Sequence, residues 1–216
     1  MQYFTKEYTK FFRELEKNNN KEWFHANKKT YDSEVRKPMI AFVEDLIIAM
    51  QKHDPEMRPI ASKCLGRINR DIRFSKDKTP YNQHLFAHIS KGTKEEPIPG
   101  IAFRFGGRDS GIMTGYYSPS KTKLADIRFK IQSDLKTFQK LKSAKKFVTK
   151  FGEIQGEAYK RIPKELQDTY EKEPLIANKQ FYYVHVRKAD FVTSKILLKE
   201  IMDYWLAAKP LNDFFR

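Results

Sequence analysis

The feature that most constrains the fold of this chain is a change of hydrophobic period near residue 67. Before this point, apolar residues recur at steps of three and four, as they do on one face of a helix; after it they alternate, as in a strand. The helical spacing returns after residue 119. Strands enclosed between helical blocks are typical of the α+β class. We therefore predict an α+β fold with a helical N-terminal region, a mostly antiparallel central sheet, and helices packed on one face.

The length and the composition of the chain indicate a single domain. The chain has 216 residues, of which 40% are hydrophobic and 14% aromatic, so it can bury a core without a metal or a disulfide. It contains no internal repeat and no long linker. We predict one domain that spans residues 1–216.

Capping residues place the helices of the N-terminal region. Thr5 is suited to cap a helix over residues 6–17, and Asn20 is suited to cap the next one. Pro38 favours the first turn of a third helix, because its missing N–H is not needed there. These signals predict three helices in the first quarter of the chain.

The middle of the chain has the alternation of strands. Ile68, Ile72 and Phe74 fall on alternate positions and predict a half-buried strand. The turn signal at residues 108–111 predicts a hairpin between two later strands. The other predicted strands are residues 85–90, 101–106, 112–117 and 179–187.

Two helical regions are predicted toward the C-terminus. Apolar residues at helical spacing between residues 120 and 151 predict one long helix or, more in keeping with its length, two or three shorter ones. Thr193 is suited to cap a final helix that continues to Ala208, where Pro210 would end it.

The charge of the chain favours acidic partners. Lys and Arg total 42 against 27 acidic residues, a formal net charge of +15. No run of apolar residues is long enough to span a membrane, and residues 1–12 lack the apolar segment of a signal peptide. Cys64 is the single cysteine. These features predict a cytoplasmic protein without membrane contact, and they carry no indication of oligomeric state.

The segment at residues 67–84 concentrates positive charge in an unusual way. Five Lys and Arg residues stand there against Asp71 and Asp77, a net charge of +3. On a strand, Arg67, Asp71 and Arg73 would share one face. Two guanidinium groups that flank a carboxylate can bind a phosphate or carboxylate through paired hydrogen bonds. The sequence therefore predicts an anion site in a strand and the loop that follows it.

Several residues of this segment are predicted to take part in binding. Arg70 falls on the apolar face of the predicted strand and needs a carboxylate partner, for which we expect Glu22 or Asp32. If the protein is an enzyme, which the sequence leaves open, Asp71 or His84 is the candidate proton carrier. The predicted ligand-binding residues are Arg67, Arg70, Asp71, Arg73, Ser75, Lys76, Lys78 and Tyr81.

Long motifs along the chain resemble those of one family. The longest motifs are NNNKEWF at residues 18–24 and RINRDIRFSKDKTPY at residues 67–81. The shorter landmarks are Tyr31, RKP at residues 36–38, GYYSP at residues 115–119, Leu124, Arg128, KQF at residues 179–181 and PL at residues 210–211. Together they resemble the landmarks of DUF family 2461, a domain of unknown function. The resemblance covers nearly the whole chain and implies a single domain. It implies no activity, because none is established for the family.

Two other interpretations of the charged segments stay open. The arginine-rich segment could be an ion-pair network that only joins helices to the sheet, in a structural or interaction protein. The basic helices at residues 121–150, with nine lysines and one arginine against two acids, could contact nucleic acid. His84 and His88 share the spacing of metal ligands, but no third ligand accompanies them, so we predict neither a metal nor another cofactor.

Overall fold

The computed structural model describes residues 1–92 and 98–216, and its N-terminal region is helical. The backbone N–H of Glu7 donates to Thr5 Oγ1 at 3.2 Å, and that of Trp23 donates to Asn20 Oδ1 at 2.8 Å. Both predicted caps are therefore confirmed. The helices are α1 (Lys6–Lys17), α2 (Lys21–Ala26), α3 (Lys28–Thr30), α4 (Lys37–Gln51) and α5 (Ala61–Cys64).

A π-helical segment, Tyr31–Arg36, joins α3 to α4 without a break. At the end of this segment the N–H of Lys37 donates to the carbonyl of Asp32, five residues earlier, which is the hydrogen-bond spacing of a π-helix. Pro38 follows in the first turn of α4, as predicted. Because proline has no N–H and its ring presses on the carbonyl four residues before it, an ordinary α-turn is disfavoured here and a wider turn relieves the contact.

The four strands form one sheet in the order β1-β2-β3-β4. β1 and β2 are antiparallel, with His84 opposite Gly106 and Ile89 opposite Ile101. The α+β class and the antiparallel sheet are thus confirmed. The strands are β1 (His84–Ile89), β2 (Ile101–Gly106), β3 (Asp109–Tyr116) and β4 (Phe181–Lys188).

The predicted strand at residues 67–74 is wrong. Only isolated bridges occur near it, Leu65 with Ala87 and Asn69 with Tyr81, and Phe74 is 94% exposed. The physical reason is local: Asp71 and Asp77 accept hydrogen bonds from backbone N–H groups two residues further on, which favours turns over a ladder. The alternating apolar residues therefore follow a loop.

The C-terminal half is mainly helical. Residues 120–151 form three short helices, as predicted. Thr193 does not cap the final helix, because it ends a 3₁₀ helix, Ala189–Thr193. Pro210 lies inside the final helix, Leu197–Phe214, rather than after it. Leu211 and Phe215 beyond the proline are buried, and their packing keeps the last turn helical. The helices are α6 (Lys121–Ser133), α7 (Leu135–Lys142), α8 (Lys145–Phe151), α9 (Gln167–Tyr170) and α10 (Leu197–Phe214).

The described residues group into two compact units, each with an aromatic core. The first comprises Met1–Lys91, Ile101–Ile112 and Val186–Met202, and Phe4, Phe42 and Phe105 are fully buried in it. The second comprises residue 92, residues 98–100, Met113–His185 and Asp203–Arg216, with Phe138, Tyr183 and Phe215 fully buried. One domain over the whole chain stays a prediction. In residues 1–92 and 98–216, every helix is too short or too polar to cross a bilayer.

Candidate functional site

Residues 68–82 form a short hairpin, which we call the arginine hairpin. Its two arms are joined where the N–H of Arg70 donates to the carbonyl of Pro80 at 2.9 Å and that of Asn82 donates to the carbonyl of Ile68 at 2.7 Å. Residues 71–79 form its turn, which we call the loop tip. The family-like motif at residues 67–81 therefore folds as a loop with a fixed base.

The turn between α1 and α2 holds the base of the arginine hairpin. Asn19 donates from Nδ2 to the carbonyl of Tyr81 at 2.9 Å and accepts from its N–H at 3.0 Å. The Tyr81 ring stacks on Phe24 of α2, with 4.1 Å between ring centroids and 19° between planes. The motif at residues 18–24 and the motif at residues 67–81 are therefore in direct contact.

The side chain of Arg70 bonds within the loop tip and does not reach the carboxylates of the N-terminal helices that we predicted as its partners. Its guanidinium donates to Asp77 Oδ2 at 2.5 Å, to the carbonyl of Thr79 at 3.1 Å and to Ser75 Oγ at 3.4 Å. The predicted partners, Glu22 or Asp32, are wrong. Because the loop folds back on itself, a carboxylate seven residues away reaches Arg70 first.

Arg73 is paired with Asp71 at the exposed loop tip. Arg73 Nε donates to Asp71 Oδ1 at 3.0 Å and Nη2 donates to Oδ2 at 2.7 Å. These hydrogen bonds lower the pKa of the Asp71 carboxyl and raise the pKa of Arg73. The side chain of Arg73 is 77% exposed, so this pair lies in solvent. The guanidinium fork of Arg73 is thus occupied by the protein's own carboxylate.

A cavity of ≈ 900 Å³ lies beside the base of the arginine hairpin, and we call it the cationic cavity. One wall comes from α2, α3, the π-helical segment and the start of α4. The other wall comes from Ser62, residues 65–69 and Tyr81. The residues of the helical wall are Phe24, His25, Lys28, Tyr31, Asp32, Arg36 and Lys37.

Positive charge dominates the lining of the cationic cavity. The lining includes four cationic residues and one carboxylate, that of Asp32, which gives a net formal charge of three positive. The cationic residues are Lys28, Arg36, Lys37 and Arg67. Lys28 Nζ lies 2.7 Å from Asp32 Oδ2, so these two charges are paired. Across residues 1–92 and 98–216, no carboxylate lies within ion-pair distance of the other three cations. They are therefore available to a ligand.

The structure separates the predicted site residues into two groups. Arg67 and Tyr81 line the cationic cavity, whereas Arg70, Asp71, Arg73, Ser75, Lys76 and Lys78 belong to the loop tip or its support. The residues that sequence reasoning missed are His25, Lys28, Arg36 and Lys37. For Lys28 and Arg36 the available signal is their i, i+8 spacing with Asp32 between them, which places the three residues along one side of a helix.

Neither candidate proton carrier lines the cationic cavity. Asp71 is exposed and held ionised by Arg73. Partial burial, and then the charge of Arg104, lowers the pKa of His84, while Asp109 acts in the opposite direction. In the part of the chain that the structure describes, no three side chains of His, Cys, Asp or Glu come together as metal ligands would. A catalytic role for Asp71 or His84 stays a prediction.

Part of the positive charge on α6, α7 and α8 has structural partners. Lys142 Nζ lies 2.9 Å from a carboxylate oxygen of the buried Glu173, and Lys150 Nζ lies 4.5 Å from the ring centroid of Tyr204. Arg128 Nε donates to the carbonyl of Ile176 at 3.0 Å. Nucleic-acid contact through these helices stays a prediction, with five exposed lysines to support it: Lys121, Lys136, Lys140, Lys145 and Lys146.

These features define an α+β protein with a helix-walled cationic cavity and a hairpin that closes on itself. The chain belongs to a family of conserved hypothetical proteins, DUF2461, which matches residues 7–214. The resemblance seen in the sequence is therefore confirmed. No curated protein and no solved structure matches the chain.

Proposed function

We propose that the cationic cavity binds a small anionic ligand that carries phosphate or carboxylate groups. The observation that carries the proposal is the convergence of Arg36, Lys37 and Arg67, none of them paired within the described residues, on one concave volume. Such groups repel one another in an empty site, and an anion between them removes that repulsion. Guanidinium groups also fit the two oxygens of a phosphate or carboxylate.

The size of the cavity favours a ligand larger than inorganic phosphate. A volume of ≈ 900 Å³ is in the range of sites for nucleotide-sized molecules. Phe24, Tyr31 and Tyr81 supply apolar surface for the uncharged part of such a ligand. Burial raises the pKa of Tyr31 to about 12, so its hydroxyl stays protonated and can donate a hydrogen bond. We assign binding, and no reaction, to this cavity.

Calorimetric titration with pyrophosphate, orthophosphate and citrate tests the proposal. We expect Arg67→Gln and Arg36→Gln each to weaken pyrophosphate binding about 10-fold or more, because each removes a charge-assisted hydrogen bond. Both side chains are exposed, so neither substitution should change the melting temperature.

Arg161→Gln is the matched control for these variants. Arg161 is exposed, lies outside the cavity lining and has no ion pair among the described residues, so this variant removes the same charge from elsewhere. It should bind pyrophosphate like the wild type. Equal weakening by Arg161→Gln, or unchanged binding by Arg67→Gln, would overturn the proposal.

We also infer a cytoplasmic location for the protein. The supporting feature is Cys64, the single cysteine, which is free and cannot form a disulfide within the chain, so a reducing compartment suits it. Fractionation of cells that express the tagged chain tests this inference, and recovery outside the cytosolic fraction would contradict it.

A further inference from the structure

The loop tip presents a large apolar side chain to solvent. Phe74 is 94% exposed. Arg73, Lys76 and Lys78 surround it in the sequence, and all three are exposed. The Arg73 guanidinium lies over the Phe74 ring, 5.8 Å from its centroid, and such a contact contributes little at an exposed site. The ring has little else to contribute to folding, because it buries almost no surface at the end of the loop. The position therefore indicates contact with something outside the chain.

The loop tip is held in one conformation by its own hydrogen bonds. Arg70 joins Ser75, Asp77 and Thr79, and Lys78 Nζ donates to the carbonyl of Ile72 at 3.0 Å. This bonding fixes the backbone on both sides of Phe74 before any partner arrives. A contact made by such a loop loses less conformational entropy than one made by a flexible loop.

The acids of the loop tip are neutralised internally. Asp71 is paired with Arg73, and Asp77 accepts from Arg70 and from the N–H of Thr79. Lys76 has no partner within the described residues, and Lys78 donates to a backbone carbonyl and not to a carboxylate. A polyanion that approaches Phe74 therefore meets positive charge without an unpaired carboxylate nearby.

We propose that the loop tip is a contact for single-stranded nucleic acid, in which Phe74 stacks on a base and Lys76 and Lys78 lie near backbone phosphates. Base stacking on an exposed aromatic ring, combined with flanking cations, is the general mode of sequence-tolerant single-strand binding. The inference goes beyond the proposed function and does not depend on ligand binding in the cationic cavity.

The chemistry of the loop tip favours nucleic acid over a lipid surface. Phe74 is its one fully exposed apolar side chain, and the nearest other one, Ile72, is partly buried. A single ring gives too little apolar area for stable insertion into a membrane, which generally needs a wide apolar face or two anchoring groups. One ring is sufficient to stack on a base.

Fluorescence anisotropy with a labelled 20-nucleotide single strand of mixed sequence tests the inference. We expect Phe74→Ala to weaken binding about 10-fold, and Phe74→Trp to retain it with quenching of the new indole by the stacked base. Phe129→Ala is the matched control, because Phe129 is 69% exposed on the lysine-rich helix α6. It should leave binding unchanged.

The salt dependence separates the role of the lysine from that of the ring. Lys76→Gln should reduce the slope of log affinity against log salt by about 0.7, whereas Phe74→Ala should leave the slope unchanged. Phe74→Ala should also bind pyrophosphate like the wild type, so the two proposals can fail separately.

Three outcomes would overturn the inference. They are no single-strand binding at low salt, a loss caused by Phe129→Ala but not by Phe74→Ala, and Phe74-dependent binding to phosphatidylserine vesicles without binding to the oligonucleotide. The second outcome would move nucleic-acid contact to the basic helices.

Discussion

Arg70 and Asp77 close the loop tip across seven residues of chain, with Arg70 Nη1 donating to Asp77 Oδ2 at 2.5 Å. The side chain of Arg70 is only 24% exposed, whereas that of Asp77 is 59% exposed. Arg70 therefore acts as the inner support, to which Ser75 and Thr79 are also bonded. The shape in which Phe74 is presented depends on this one guanidinium group.

Removal of Arg70 should open the loop tip to proteolysis. Trypsin cleaves after lysine and arginine in extended segments, and Arg73, Lys76 and Lys78 are such residues. The hydrogen bonds of the loop tip keep this segment from becoming extended. We expect Arg70→Ala to increase the rate of cleavage after these residues several-fold, while the rest of the chain stays intact. Mass spectrometry of early digestion products measures the effect.

Arg161→Ala is the control for this digestion, because it removes an arginine that supports no loop. Its products should appear at the wild-type rate. If Arg70→Ala were cleaved after Lys76 no faster than the wild type, Arg70 would not hold the loop tip.

Local signals in the sequence were sufficient for most of the secondary structure. Thr5 and Asn20 cap helices because their side chains bond to the N–H groups next to them, which needs no information from distant residues. The prediction that Pro210 ends the final helix is wrong because it considers only neighbouring residues. A proline normally ends a helix, but here Leu211 and Phe215 are buried, and this tertiary packing overrides the local preference.

The candidate site could be predicted only in part, because its walls come from segments far apart in the chain. Arg67 and Tyr81 were recognised from the charge of their own segment. Lys28, Arg36 and Lys37 were not, because their place opposite Arg67 depends on the packing of Phe24 on Tyr81. The alternation at residues 68–74 suggested a strand, although the aspartates favour turns there.

The Asp32 carboxylate should weaken anion binding in the cationic cavity. It is the one acid among the lining residues and lies 2.7 Å from Lys28 Nζ. Asp32→Asn removes this negative charge and releases Lys28, so pyrophosphate should bind about 3- to 10-fold more tightly at low salt, with a steeper salt dependence. Calorimetric titration at two salt concentrations measures the change. Weaker binding would mean that Asp32 positions Lys28 for the ligand.

His84 should make folding stability depend on pH below its ordinary pKa. Partial burial and the charge of Arg104 lower the pKa of His84 in the folded state below the ordinary 6.5, although Asp109 opposes this. Between the folded and the unfolded pKa of His84, the unfolded chain binds more protons than the folded protein does. The contribution of neutral His84 to folding stability is therefore complete above pH 6.5 and is lost as the pH falls. We expect the melting temperature of His84→Gln to fall less between pH 7.5 and pH 5 than that of the wild type. Equal losses would contradict this assignment.

Gly115 should tolerate no side chain. It has a φ of +91°, and a Cβ built on it would lie 2.3 Å from the carbonyl oxygen of Phe181. We expect Gly115→Ala to lower the free energy of unfolding by about 3 kcal/mol or more, through strain and the clash together. Gly152 is the matched control: its φ is +76°, with no atom within 4 Å of a built Cβ. Gly152→Ala should cost about 1–2 kcal/mol, and equal costs in urea unfolding would show that the clash contributes nothing.

A buried chain of hydrogen bonds should couple Tyr183 to Asn212. The Tyr183 hydroxyl donates to Asn212 Oδ1, Asn212 Nδ2 donates to Thr114 Oγ1 at 2.9 Å, and Thr114 Oγ1 donates to the carbonyl of Gly100 at 2.5 Å. Burial raises the pKa of Tyr183 well above its ordinary value, so the hydroxyl remains a donor throughout the working pH range.

Tyr183→Phe should therefore cost about 1–2 kcal/mol of unfolding free energy, and Asn212→Leu about 2–3 kcal/mol, because each leaves a buried polar group without its partner. The double variant should cost at least about 1 kcal/mol less than the sum, since it removes both members of the pair together. Urea unfolding of the four proteins measures this coupling. Strictly additive losses would mean that the bond between Tyr183 and Asn212 contributes no stability.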